Sequence, residues 1–272
     1  MKISLVTISF NQAQYLEQTI QSVLAQDYLD VEYIVIDPGS TDGSRDIIQR
    51  YRDRIADVVF EPDKGPADGL NHGFARATGS IFGYLNSDDA LLPGALSRVA
   101  QAFRTHPEAD LIYGHGYVID TAGAVLGRCR SDRFNLRRFA HGNSIIMQQS
   151  AFWRREAFEQ VGGFNQTNRL SWDGEFWIDL ALAGKCFRRM DEYWACFRTH
   201  QESITQNFHV GPNQQRYLAE QKRLFQKAMR RPQTRWDFLS NKVTRIEKWL
   251  VDPRNLWLRL AGLFLRAKSG GR

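Results

Sequence analysis

The sequence predicts an α/β fold: a mostly parallel central sheet with helices on both faces, followed by a C-terminal helical extension. Three observations predict it. Through the first 130 residues, short apolar runs alternate with segments of helical period, joined by short connections; parallel strands buried between helices read this way. After Asp110 the apolar runs are mainly strand-like. Beyond Val210 there is little besides helical pattern, rich in Arg, Leu and Trp.

In order, Ile3 to Ile8 reads as a buried strand, and Asn11 is placed to cap a helix carrying Tyr15, Leu16, Ile20, Val23 and Leu24 on one face. Val31 to Ile36 is a second strand ending at Asp37, and Gly39 to Gly43 is a turn before a helix marked by Ile47, Ile48 and Tyr51. Val58 to Phe60 is a short strand, and Pro66 to Ala77 is helical despite its glycines. Ile81 to Leu85 is a strand running into Asn86-Ser87-Asp88-Asp89, and Pro93 opens an amphipathic helix ending before Pro107. Leu111 to Tyr113, Tyr117 to Ile119 and Val125 to Cys129 read as strands, with a turn at Thr121-Ala122-Gly123. Phe152 to Val161 and Glu175 to Ala183 read as helices.

Composition narrows the class. With 272 residues, 43% hydrophobic and 24% charged, the chain is not of a disordered or low-complexity type. Three scattered cysteines, Cys129, Cys186 and Cys196, fit neither a disulfide framework nor a zinc site and point to a reducing compartment. The N-terminus is too short and polar for a signal peptide, and the longest apolar run, Leu256 to Leu265, contains Arg259 and is too short to span a bilayer. From Arg216 onward there are 15 Lys and Arg against 4 Asp and Glu, while the preceding residues hold 21 against 26. A slightly acidic body therefore carries a strongly basic tail.

Ligands of an open parallel sheet bind at the carboxyl ends of its strands. Two strands end in carboxylates here, at Asp37 and at Asp88-Asp89, and the first ends in Thr7, Ser9 and Asn11. Asp37 alone serves equally well as a helix cap. Adjacent Asp88 and Asp89 repel unless a cation or donor relieves them, and Mg²⁺ or Mn²⁺ prefers such oxygens. The absence of a Gly-x-Gly-x-x-Gly, a Walker loop or a Gly-x-Ser-x-Gly elbow argues against a dinucleotide dehydrogenase, a P-loop kinase and a serine hydrolase.

In this order, Val6-Thr7 through Asn11, Asp37-Pro38-Gly39-Ser40-Thr41-Asp42-Gly43-Ser44, Glu61-Pro62-Asp63-Lys64-Gly65 and Leu85-Asn86-Ser87-Asp88-Asp89 are followed by Gln148-Gln149, Phe152-Trp153-Arg154-Arg155, Val161-Gly162-Gly163-Phe164, Trp172-Asp173-Gly174-Glu175-Phe176-Trp177 and Phe197-Arg198-Thr199-His200. Over about residues 2–205 this combination resembles the family 2 inverting glycosyltransferases, which use nucleotide sugars on the Rossmann-like GT-A fold. The resemblance implies a GT-A catalytic domain at 1–210, with a nucleotide-binding half to about 110 and an acceptor half after it, and a basic amphipathic helical extension at 211–272.

It also implies roles. Thr7, Ser9 and Asp37 would bind the nucleotide, Lys64 and Asp68 would lie near phosphate or sugar, and Asp88 would approach the ribose or metal-bound water. Asp89 would ligate the divalent cation, Mn²⁺ or Mg²⁺, with His200 a further candidate beside it. Asn86 stands where the family often has an acid, leaving one charge fewer. Asp173 is the expected catalytic base: an inverting displacement needs one carboxylate to deprotonate the acceptor hydroxyl, where hydrolysis normally employs two. Helix capping is its alternative role, and Glu175 is the second candidate carboxylate. Gln149 and Trp172 belong on the acceptor side, and Trp153, Trp177 and Trp194 serve either an acceptor groove or the core.

In the tail, Lys242 to Lys268 alternates Trp and Leu with basic residues, and Pro253 divides it into two short helices. It suits either an anionic membrane surface or packing on the protein. The expected setting is cytoplasmic, with peripheral attachment to the inner face of the membrane or packing of the tail on the protein as the two alternatives, in surface polysaccharide or glycolipid assembly. The acceptor is a carbohydrate or a lipid-linked one, and nucleic acid is not an expected partner because the body is acidic. The rivals are a nucleotidyltransferase, which needs a basic Gly-rich loop missing at Thr7 to Gln14, and a nucleotide-sugar-binding module without transferase activity.

Overall fold

The computed structural model describes residues 1–201, 203, 212–253 and 257. In chain order it contains β1 (Ile3–Ile8), α1 (Ala13–Leu24), β2 (Val31–Ile36), α2 (Ser44–Arg50), β3 (Asp57–Val59), α3 (Pro66–Arg76), β4 (Ile81–Asn86), β5 (Ala90–Leu91) and α4 (Ala95–Thr105). There follow β6 (Leu111–Ile119), β7 (Val125–Cys129), α5 (Leu136–Ala140), β8 (Ala151–Arg154), α6 (Arg155–Val161), α7 (Trp172–Leu182), β9 (Phe187–Arg198), α8 (Pro212–Met229) and α9 (Asp237–Val251). The strands form one mixed sheet in the order β3-β2-β1-β4-β8-β6-β9-β5, with β7 paired to β6.

The first four strands are mutually parallel, as the alternating pattern predicts. Because side chains alternate across a strand, β1 feeds two cores. Ile3 and Leu5 pack with Leu16 and Ile20 of α1 and Val99 and Phe103 of α4, and Val6 packs with Leu70 and Phe74 of α3. Gly73 permits the second contact: a Cβ there would stand 2.6 Å from Val6.

Three expectations need correction. Residues 152–154 are not helical; Ala151–Arg154 is a strand, antiparallel to both β4 and β6, and only then does α6 begin. Its alternating residues slot between two strands, and opposite Phe152 stands Gly83, where a Cβ would lie 2.5 Å from the ring. The long strand β9 is absent from the sequence reading because its mixed, half-buried residues show no clean alternation. Asn11 does not cap α1: it holds a positive φ of 52°, and its side chain accepts from the Thr41 N–H. The first turn of α1 is instead capped from the 40–44 loop, where Asp42 accepts from Ala13 N–H at 2.8 Å.

Trp153, Trp177 and Trp194 are buried completely and belong to the core. In the basic segment, α8 packs Leu224 and Ala228 against Ile178 of α7, and α9 lies on α5. Of the two helices expected around Pro253, the second lies outside the described residues.

Candidate functional site

A cavity of about 720 Å³ opens at the carboxyl ends of β1 and β4. Ile8, Ser9 and Asn86 to Asp88 form its strand-end pole, Trp172 and Asp173 at the start of α7 form a second pole, and Lys64, Gly65 and Arg169 also line it. Gln148, Gln149, His200 and Tyr217 complete the lining. The crossover topology brings these together, since parallel strands place their ends on one edge.

At the strand-end pole, Ser9 is buried with no partner for its hydroxyl among the described residues. Asp37 is fully buried and is not part of the cavity lining, to which its neighbour Pro38 contributes. Its Oδ1 accepts from the N–H groups of Gly39 and Ser40 and from Arg45 Nε, while Oδ2 has no partner among the described residues. The carboxylate thus organises its loop with one oxygen and keeps the other. Thr7 lies on the face of β1 that carries Ile3 and Leu5, where Tyr33 Oη donates to its hydroxyl at 3.1 Å; it is not part of the cavity lining.

Asp88 and Asp89 point apart. Asp88 lines the cavity, with His200 Nε2 2.9 Å from its Oδ2. Asp89 is fully buried and outside the lining. Its Oδ1 accepts from Arg198 N–H at 2.9 Å, and its Oδ2 accepts from Gln149 Nε2 at 2.8 Å and Asn86 Nδ2 at 3.3 Å. Burial, together with the charge of Asp88, pushes the Asp89 carboxyl well up. Asp89 therefore ties the end of β4 to β9 and to Gln149. Arg198 completes the tie by donating Nε to the Asp88 carbonyl at 2.7 Å.

Lys64 is exposed, and Arg169 lies against the neighbouring Gly65. Asp68 is buried and faces its own helix: it accepts from Lys64 N–H at 2.8 Å and stands 3.6 Å from His72 Nε2, outside the lining. Asn71 pairs both ways with the Phe164 backbone, a packing role.

At the α7 pole, Asp173 lies in the first turn, half-buried and facing the cavity. Burial raises its pKa, with the backbone N–H groups of Gly174 and Asp173 offsetting part of the rise. Trp172 beside it donates Nε1 to Tyr84 Oη at 3.1 Å, which fixes the indole as a wall. Glu175, two residues on, is buried away from the cavity. It accepts from Asn165, Asn168, Arg223 and Lys227, the last at 2.8 Å. Burial alone would raise its pKa, but the hydrogen bonds from Arg223, Lys227 and Asn168 outweigh that and hold it down at about 2. A carboxylate so committed anchors α8.

The sequence reading missed Arg169, Tyr84 and Tyr217. Tyr217 enters from α8 and stands close enough to Asp173 for that charge to help burial raise its own pKa. No local signal marks it, because it lies well beyond the end of α7 at Leu182 and reaches the site through the packing of α8 on α7.

The model of the family described as "Glycosyl transferase family 2" matches residues 4–162. An uncharacterised glycosyltransferase of Nostoc sp. is 31% identical over 220 residues, 74% of this chain, and the chain spans 65% of that relative's length. A PGL/p-HBAD biosynthesis glycosyltransferase of Mycobacterium bovis is 29% identical over 177 residues, 64% of this chain and 67% of that protein. Among solved structures, S. aureus TarS 1-349 with UDP-GlcNAc superposes with a TM-score of 0.68 at 17% identity, covering 91% of this chain and 71% of that one. The mannosyltransferase PcManGT of Pyrobaculum calidifontis, with GDP-Man and Mn²⁺, gives 0.63 at 19% identity over 100% of this chain and 76% of that one. These two likenesses establish the GT-A fold.

Proposed function

The chain belongs to glycosyl transferase family 2, and from that premise we propose that it moves a sugar from a nucleoside-diphosphate sugar to an acceptor hydroxyl with inversion, in the assembly of a surface polysaccharide or glycolipid. One observation carries the reading: a single cavity with Asp88 and His200 at one pole and a carboxylate of raised pKa, Asp173, at the other. The UDP-GlcNAc and GDP-Man bound by TarS and PcManGT support the donor class.

In this reading Ser9, which lines the cavity, meets the nucleoside, and Asp37, buried outside the lining with Oδ2 lacking a partner among the described residues, accepts from it once Pro38 and its loop give way. Lys64 and Arg169, both in the lining, supply positive charge to the diphosphate. Trp172 offers its fixed ring to a sugar face. Asp173 takes the proton of the acceptor hydroxyl as that oxygen bonds to the anomeric carbon and the diphosphate leaves from the opposite face. Its raised pKa makes it a stronger base than an exposed carboxylate.

The residues present suit a hard divalent cation, Mn²⁺ or Mg²⁺, which binds through one or two carboxylates and keeps its other positions for water and phosphate. Asp88, with His200 beside it, would hold it; Asp89 has both oxygens engaged by protein donors. Among the described residues no group of three or more His, Cys, Asp or Glu side chains is arranged around an ion. When bound, the cation would supply charge neutralisation for the leaving diphosphate.

The test is thermal stability with UDP-GlcNAc and with GDP-Man, each with and without Mn²⁺, then NMR of the product's anomeric configuration. A donor at 100 times its Kd adds about 2.7 kcal/mol. Folded protein that responds to neither these donors nor a wider nucleotide-sugar panel overturns the reading. A retained anomeric configuration overturns the inverting mechanism and the role of Asp173.

A further inference from the structure

Helix α9 is mounted with its polar side inward. Asn241 donates Nδ2 to the His141 carbonyl at 2.8 Å, Asn143 Nδ2 donates to Thr244 Oγ1 at 2.8 Å, and Lys248 Nζ pairs with Asp132 at 2.8 Å. Thr244 and Asp237 are buried. The opposite side presents Trp236, Leu239, Val243, Ile246 and Leu250, all exposed; Ile246 and Leu250 show 59% and 75% of their surface. A helix on a water-soluble body ordinarily turns its apolar stripe to the core. This one does the reverse.

Charge around the stripe says what covers it. The acids of the region are engaged by cations of the protein: Asp237 by Arg231, Glu247 by Arg137 and Asp252 by Arg189. Three cations remain without an acidic partner among the described residues. Arg235 lies over Trp236 at 5.0 Å and Lys242 over Phe238 at 4.5 Å, while Arg245 stands between Val243 and Ile246 in the chain. Long basic side chains along aromatic rings, at the rim of an apolar stripe, match the boundary between acyl chains and anionic headgroups. A second copy of the chain is a poorer occupant. Pairing the stripe of this 15-residue helix with its own copy would add a second set of the same three cations to the rim of the contact, with no acid among the described residues left to meet them.

We propose that the exposed apolar face of α9, rimmed by Arg235, Lys242 and Arg245, docks the protein on an anionic lipid surface with the helix lying in the interfacial plane. The inference stands independently of the glycosyl-transfer reading, because it uses none of the cavity residues.

The test is co-sedimentation of the full chain with vesicles of phosphatidylcholine alone and of phosphatidylcholine with phosphatidylglycerol, at low and high salt. The chain is expected to sediment with the anionic vesicles, less so at high salt, with a blue shift of Trp236 emission. Each cation near an anionic surface is worth about a fivefold change in partitioning, so K242A/R245A should bind on the order of 25-fold more weakly. L239S/I246S/L250S, confined to exposed positions, should lose binding more than tenfold with an unchanged melting temperature. Binding that is equal on neutral vesicles, absent from anionic ones, or intact in the triple variant overturns the proposal. A dimer in sedimentation without lipid, abolished by the triple variant, assigns the face to a second copy and overturns it too. Retained thermal response of the triple variant to UDP-GlcNAc or GDP-Man separates this result from any failure of the donor reading.

Discussion

At the strand-end pole of the cavity, Ser9 and Asp88 each follow a strand closely, with Asp37 buried beside them at the end of β2, whereas the α7 pole joins Trp172 and Asp173 to Tyr217, which comes from the distant helix α8. The first pole inherits its geometry from the parallel register of β1, β2 and β4, which fixes those ends relative to one another. The second depends on side chains that hold helices together, chiefly Glu175 with Arg223 and Lys227. A site can therefore have one rigid pole and one that is only as firm as its anchor.

The comparison is broken most directly at Asp173. If it is the base, Asp173→Asn lowers turnover by about 10²–10⁴-fold while the thermal response to donor persists. Because burial raises its pKa, the rate of the native protein should climb with pH through a value above an aspartate's ordinary 3.8 and be lost below it. A rate flat through that range removes Asp173 from the chemistry.

The next largest effect separates the paired carboxylates. Asp89→Ala strands the Arg198 N–H and the Gln149 amide, and should cost about 1–3 kcal/mol of stability in denaturant melts. Asp88→Ala should leave the melt of the unliganded protein nearly unchanged and abolish the Mn²⁺-dependent part of donor stabilisation. The reverse pattern would return the cation to Asp89.

Glu175 tests the anchor. Glu175→Gln should cost about 1–2 kcal/mol, since it removes the buried charge that Arg223 and Lys227 share and leaves each with its outer acid alone, Glu220 and Asp179. Its folded pKa lies below its ordinary 4.5, so its contribution is fully present above that pH and disappears as the pH falls toward about 2. The native protein's acid transition should therefore be steeper than the variant's, read by circular dichroism. Rates that fall in the variant without any stability loss would instead make Glu175 a participant in the chemistry.

The smallest expected effect is at Thr7. Thr7→Val removes a hydroxyl that serves Tyr33, so donor affinity should change less than about twofold, a few tenths of a kcal/mol. A tenfold loss in calorimetric affinity would bring Thr7 back to the nucleotide.

Much of the first pole was legible in the sequence. The apolar runs of β1, β2 and β4 ending at Ser9, Asp37 and Asp88 encode both the strands and their ends, because backbone period and strand-end chemistry are local. Residues 151–154 and β9 were not legible as strands, since their pairing partners are remote and their half-buried residues alternate weakly. Likewise Asp88 and Asp89 are indistinguishable in sequence, and only the approach of Arg198 and Gln149 turns one inward and leaves the other at the cavity.

The sequence by itself determined the parallel half of the sheet, the strand-end carboxylates and the carboxylate at the start of α7, all properties of hydrophobic period and neighbouring residues. Tertiary structure alone decided that Glu175 anchors α8, that Tyr217 joins the cavity, and that α9 faces its apolar side outward. Ion pairing, burial and the facing of a helix depend on what the rest of the chain brings alongside, and no window of sequence contains that.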